Sequence, residues 1–278
     1  MKIKKAVITA AGLHQQHLPL QSLVSPSGEN KTVAAFLLDE IFASGIESAA
    51  IIIAPGTERD FSSAIAGHLD QVTFIEQAEP RGYGHAVLCA RDFTGDDPFL
   101  LMMSDHLYLS FAAESCLSQL LNVAAQTDGP VSAVQPTHES KLPFYGAIAA
   151  SPVSGRQGLY DVSHMIEKPT PTIAEQELIV PGLRAGNYLC FFGMHVLTKG
   201  VMEHLDQSFS GEGNLPLTPS LAAIAHSEKY LACEIEGLRF NIEESFGLLR
   251  AQLGMALSGD GRDEVMGAMI ELIAATRR

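Results

Sequence analysis

Along the chain, short runs of apolar and β-branched residues alternate with longer stretches whose apolar positions recur every three to four residues. The runs read as strands buried on both faces, and the longer stretches as helices with one apolar side. Residues 6–10 form the first strand. Residues 32–44 read as a helix with Val33, Leu37 and Ile41 on one face, closed by Gly45. Residues 48–54 are a near-continuous apolar strand of the kind found inside a parallel sheet. The alternation continues with a helix over 58–69, a strand over 72–76, a helix opening near Gly84, a strand over 99–103 and a helix over 112–126. This order predicts an α/β fold, a Rossmann-like, doubly wound sheet whose ligands bind beyond the carboxyl ends of the strands.

From Val131 the pattern loosens into shorter strands separated by Pro- and Gly-containing segments such as 151-SPVSGRQG-158 and 168-KPTPTIAE-175. These extend the sheet and cover a second part of the ligand. Two helices close the chain, over 246–257 and 264–275. We expect one domain over 1–249 and a C-terminal helical extension over 250–278. That terminal hairpin is a candidate surface for a homo-oligomer, and packing on its own domain explains it equally well.

Composition narrows the partners. With 278 residues, 46% of them hydrophobic, the chain can bury a large core. Eighteen Lys and Arg face 32 Asp and Glu, a net charge of -14, which argues against nucleic acid or an anionic membrane as partner. The start, 1-MKIKKAVITAAGL-13, resembles a secretory signal in its three Lys. Its apolar run breaks at Gly12 and His14, so a first strand fits better. No stretch approaches the ~18 apolar residues of a membrane span. Cys89, Cys116, Cys190 and Cys233 lack paired metal or redox spacing and read as buried, reduced thiols in the cytoplasm.

Four short segments carry candidate chemistry. In 10-AAGL-13, small residues after a strand let backbone N–H groups approach a nucleotide, without the G-x-G-x-x-G of a dinucleotide fold. In 77-QAEPRGYGHAV-87, Gln77 can pair with a base edge while Gly82 and Gly84 permit close approach. The apolar strand in 100-LLMMSDH-106 delivers Asp105, either a Mg²⁺ ligand or a helix cap. In 165-MIEKP-169, Glu167 and Lys168 follow a strand on alternating faces, one for a sugar hydroxyl and the other for a phosphate. His14 and His17 stand three apart but have no third partner for zinc, and His85 and His106 read as hydrogen-bonded neighbours of the site.

In this order and spacing the segments resemble the sugar-phosphate nucleotidyltransferases, most closely the bacterial UTP:glucose-1-phosphate uridylyltransferases. The resemblance runs from Lys5 to about Leu249. Gly12-Leu13 matches the start of the family's G-L-G-T-R loop, 31-KTVAAFLLDEIFASGI-46 its following helix, and 77-QAEPRGYGHAVLCA-90 its Q-x-x-x-x-G-x-G-H-A segment. The segments 165-MIEKP-169, 193-GMHVLT-198 and 237-GLRFNI-242 follow in family order. The resemblance implies that an NTP and a sugar 1-phosphate meet over Mg²⁺ and yield an NDP-sugar and pyrophosphate. It places Ala11, Gly12, Gln77 and Gly84 on the nucleotide, Gly146, Glu167 and Lys168 on the sugar phosphate, and Asp105 and Asn241 on the metal. Asp105 and Lys168 would be the catalytic pair.

The chain departs from the family where the loop Arg is replaced by Gln16, where the following Pro-Lys pair has no counterpart, and where an Asp is replaced by Asn241. No Lys or Arg occurs from Leu13 to Asn30. Protonated His14 and His17 are the local substitutes for positive charge. A non-catalytic binder of a nucleotide sugar or sugar phosphate is the alternative that this cation-poor loop favours.

Overall fold

The computed structural model describes residues 1–12 and 16–276. Strand β1 (Lys5–Thr9) leads to a small antiparallel hairpin, β2 (Ser22–Val24) and β3 (Asn30–Thr32). Helix α1 (Val33–Ala43) follows, and Thr32 Oγ1 caps it by accepting from Ala35 N at 3.1 Å. Next come β4 (Ser48–Ile53), α2 (Glu58–Ala64), β5 (Val72–Glu76), α3 (Tyr83–Leu88), α4 (Arg91–Thr94) and β6 (Phe99–Met103). The middle of the chain holds β7 (His106–Ser110), α5 (Cys116–Ala124), β8 (Val131–His138), β9 (Ala147–Pro152), β10 (Leu159–Ile166) and α6 (Pro171–Glu177). The long β11 (Asn187–Leu197), α7 (Lys199–Ser208), α8 (Thr218–Ser227), β12 (Leu231–Glu234), β13 (Gly237–Asn241), α9 (Gly247–Ser258) and α10 (Arg262–Thr276) complete it.

One mixed sheet has the order β5-β4-β1-β6-β11-β8-β12-β10-β9. The first four of these strands are parallel, and β11 runs antiparallel to both β6 and β8. Period-two alternation divides the strand residues between two cores. Ala6, Ile8, Ile51, Ile53, Leu100 and Met102 face α1, α5 and α9, whereas Val7, Ile52, Phe99 and Leu101 face α3, α7 and α8. Helices on both faces explain why the apolar runs are unbroken, and the expected doubly wound α/β architecture is the one observed.

Three local expectations change. The helix read over 58–69 ends at Ala64 and continues as a 3-10 stretch, Ala66–Gln71, because Gly67 weakens the α pattern there. The helix read over 112–126 starts at Cys116, since Ser115 Oγ caps Ser118 N at 3.1 Å. Residues 106–110, given no element in the sequence reading, form β7 and pair with β13, which sets His106 opposite Asn241.

Helix α9 inserts Ala251 and Met255 into the core, while α10 buries no residue. The hairpin after β1 leans on α9: Val24 N donates to Gln252 Oε1 at 2.8 Å, and Gln252 Nε2 donates to Val24 O at 3.1 Å. Asp260 N reaches Pro26 O at 3.3 Å. Among the described residues, no helix is long and apolar enough to cross a membrane.

Candidate active site

Beyond the carboxyl end of β6 lies a cavity of about 220 Å³. The chain leaves β6 through Ser104 and Asp105 and re-enters a strand at His106, and Asp105 is only 1% exposed. Its Oδ1 lies 2.7 Å from His106 Nδ1. Burial opposes the charge, yet His106, and less strongly Lys168, hold the carboxyl below the usual aspartate range. Ser104 Oγ and His106 Nε2 are buried beside it, with no hydrogen-bond partner among the described residues. The β7–β13 pairing brings Asn241 to the same cavity, where its Oδ1 accepts from Glu243 N at 2.9 Å.

Glu167 and Lys168 enter just after β10. Lys168 has φ +46°, a left-handed conformation uncommon outside glycine, and Pro169 follows it. This kink breaks the strand pleat, so both side chains line one cavity, and the sequence-based expectation of alternating faces does not hold. Glu167 Oε2 accepts from Thr218 Oγ1 at 2.6 Å. Lys168 makes no ion pair among the described residues. Gly146 is required here, because a Cβ would lie 2.8 Å from Glu167 Oε2 and 2.8 Å from Phe191 Cδ2.

Strand β11 supplies Phe191, Gly193 and His195 to the same wall, across a register shift where Gly193 takes φ +95°. His195 Nδ1 lies 2.6 Å from Ser132 Oγ, which lies 2.8 Å from Tyr230 OH. Burial pushes the imidazole down to about 4, so it is neutral in ordinary buffers. Tyr83 borders the cavity from α3, and burial, reinforced by the Asp105 and Glu167 carboxylates, raises its phenol above the usual tyrosine range.

Asp105, Gly146, Glu167, Lys168 and Asn241 thus converge, whereas Ala11, Gly12, Gln77 and Gly84 do not line this cavity. Ala11 and Gly12 follow β1, and Gln77 follows β5, at the same edge of the sheet. Gln77 Nε2 is bonded to His85 Nδ1 at 2.8 Å and to Gly82 O at 3.3 Å, and its Oε1 has no partner among the described residues. Gly84 answers to a protein neighbour: a Cβ would lie 2.9 Å from Leu215 O and from the Pro216 backbone. Gln16 N donates to Gly12 O at 2.9 Å and His17 is exposed, while Leu13 and His14 lie outside the described residues.

Asp105 and Asn241 offer a carboxylate and an amide, hard oxygen donors of the type Mg²⁺ prefers. No group of three His, Cys, Asp or Glu suited to a metal occurs among the described residues. Two protein oxygens are compatible with Mg²⁺, which leaves its other positions to water and phosphate. The orphaned Ser104 Oγ and His106 Nε2 beside Asp105 also suit a hydrated ligand.

Residues 6–232 match the family described as nucleotidyl transferase. The chain belongs to that family. A UTP–glucose-1-phosphate uridylyltransferase of Streptococcus pneumoniae is 28% identical, with 98% of this chain and 96% of that protein covered. The corresponding enzyme of Bacillus subtilis is 27% identical, with 98% of each covered. A UTP-bound UGPase from Acinetobacter baumannii has the same fold, with TM-score 0.74 and 20% identity over 98% of this chain and 100% of that one. Within this nucleotidyl transferase fold, sequence reasoning missed Tyr83, Tyr145, Thr218, Phe191 and His195. Tyr83 and His195 lie inside the segments 77–90 and 193–198 that carry the resemblance, but nothing in those segments singled them out.

Proposed function

We propose that the chain joins a pyrimidine NTP to a sugar 1-phosphate, giving an NDP-sugar, with UDP-glucose the leading product, and pyrophosphate. The observation that carries this reading is that Lys168, which makes no ion pair among the described residues, lines the same cavity as the buried Asp105 carboxylate and stabilises its charge. Lys168 attracts the sugar phosphate and holds its oxygen for attack on the α-phosphorus, forming one P–O bond as the bond to the β-phosphate breaks. Glu167, fixed by Thr218, accepts from a sugar hydroxyl, and neutral His195 offers a further polar atom. Asp105 and Asn241 would hold Mg²⁺, which when bound neutralises phosphate charge. Gln77 Oε1 accepts from the N3–H of uracil or thymine, supported by the small residues Ala11 and Gly12 after β1 and Gly84 in α3.

We take 1–249 as the catalytic unit and 250–278 as an extension. Self-association through α10 belongs to the same proposal, since Ile270, Leu272 and Ile273 are 64%, 65% and 55% exposed. The four cysteines are free thiols, which suits the reducing cytoplasm.

A non-catalytic binder of the same ligands is the second reading. The Asp105–His106 contact favours it by occupying one carboxylate oxygen, as does the absence of Lys and Arg from Leu13 to Asn30. Incubation with Mg²⁺, UTP and glucose 1-phosphate, followed by a pyrophosphate assay, separates the two. Pyrophosphate release supports transfer; tight UDP-glucose binding with no release supports the binder.

A further inference from the structure

Behind the Tyr145 ring is a second cavity, of about 260 Å³, open to solvent and walled off from the first by Tyr145 and Asn241. Three cations reach it from three separate parts of the chain: Lys141 from the 3-10 turn before β9, Arg239 from β13 and Arg250 from α9. In a protein of net charge -14 such convergence needs a reason. The Arg239 guanidinium lies 3.5 Å from the centre of the Tyr145 ring and donates to Phe191 O, so its place is fixed by stacking and one backbone bond. The Lys141 and Arg250 side chains are 39% and 61% exposed.

A resident anion sits among them. Glu244 Oε2 is 2.5 Å from Lys141 Nζ and 3.7 Å from Arg250, and Oε1 accepts from Tyr145 OH at 2.9 Å. Burial acts against its charge, but Lys141 and Tyr145 keep the carboxyl below the usual glutamate range. One carboxylate against three cations leaves an excess of positive charge. That excess can be matched by a dianion with several acceptor oxygens, and guanidinium forks suit a phosphoryl group.

We propose that this cavity binds a small phosphomonoester, whose phosphoryl group takes Lys141, Arg239 and Arg250 as partners and displaces Glu244 from Lys141. The room available suits a phosphate with a short polar tail. The site is separate from the cavity around Lys168 and stands whether or not the chain transfers nucleotides.

Inorganic phosphate and glycerol 3-phosphate are the probes, titrated calorimetrically into the full chain carrying Lys168→Ala, which removes the anion partner of the first cavity. One site is expected to remain. Adding Lys141→Ala and Arg250→Ala should weaken it at least tenfold, with circular dichroism unchanged because neither side chain is buried in the core. Glu244→Gln, nearly isosteric, should tighten it severalfold by removing the competing charge. Loss of phosphate binding in Lys168→Ala alone, equal binding after the double substitution, or weaker binding in Glu244→Gln would each overturn the assignment.

Discussion

Burial of His195 should leave a measurable mark on acid stability. Its pKa in the folded chain is about 4, against ~6.5 when exposed, with burial the cause. Above pH ~6.5 both states hold it neutral and the stabilisation is complete. As pH falls below that value, the unfolded chain takes up a proton that the folded chain refuses until pH nears 4. Linkage then removes about 1.4 kcal/mol of stability per pH unit, reaching roughly 3 kcal/mol at the lower end. His195→Asn keeps an amide near the position of Nδ1 to meet Ser132 and cannot titrate. The variant should be less stable at neutral pH through lost packing, but its stability should decline less steeply between about pH 6 and pH 4.5. Urea unfolding at half-unit steps gives both slopes, and carboxylates that titrate in the same range contribute alike to each. Equal slopes would show that the imidazole is charged or hydrated in the folded chain.

Asp105→Asn should lower metal-dependent pyrophosphate release by about 10²-fold or more and leave the unfolding midpoint nearly unchanged; full activity would return Asp105 to a structural role. Gly146→Ala forces a methyl against Glu167 and Phe191, so KM for the sugar 1-phosphate should rise about tenfold or more, and an unaltered KM would show that Glu167 does not meet the sugar. UTP or dTTP should raise the melting temperature more than ATP or GTP does, because Gln77 Oε1 suits a pyrimidine N3–H; a larger shift with a purine nucleotide removes that assignment.

The first half of the fold was legible because strands covered on both sides leave an unbroken apolar imprint, as at Ser48–Ile53. The hairpin β2–β3 left none. Its strands have three residues each and only Leu23 among them is buried, so neither period nor burial marks them. Residues just beyond strand ends, Asp105, Glu167 and Lys168, could be named from sequence, but not their convergence. That depends on the left-handed φ of Lys168 and on the pairing of β7 with β13, neither of which local pattern encodes. Thr218 and His195 were silent for a related reason, since their partners Glu167 and Ser132 lie 51 and 63 residues away.

The grip of α9 on the β2–β3 hairpin bears on how the protein matures as it is synthesised. A nascent chain that has emerged through Asn241 already carries every strand of the central sheet. It still lacks Gln252 and Asp260, the two residues whose bonds to Val24 and Pro26 fasten the far end of the loop that begins at Gly12. The first loop translated is therefore among the last to be anchored, and a chain released early would have its sheet but an untethered loop after β1. Limited proteolysis of ribosome-bound chains stalled before and after residue 260 would record that delay as cleavage near Val24 in the shorter chain only.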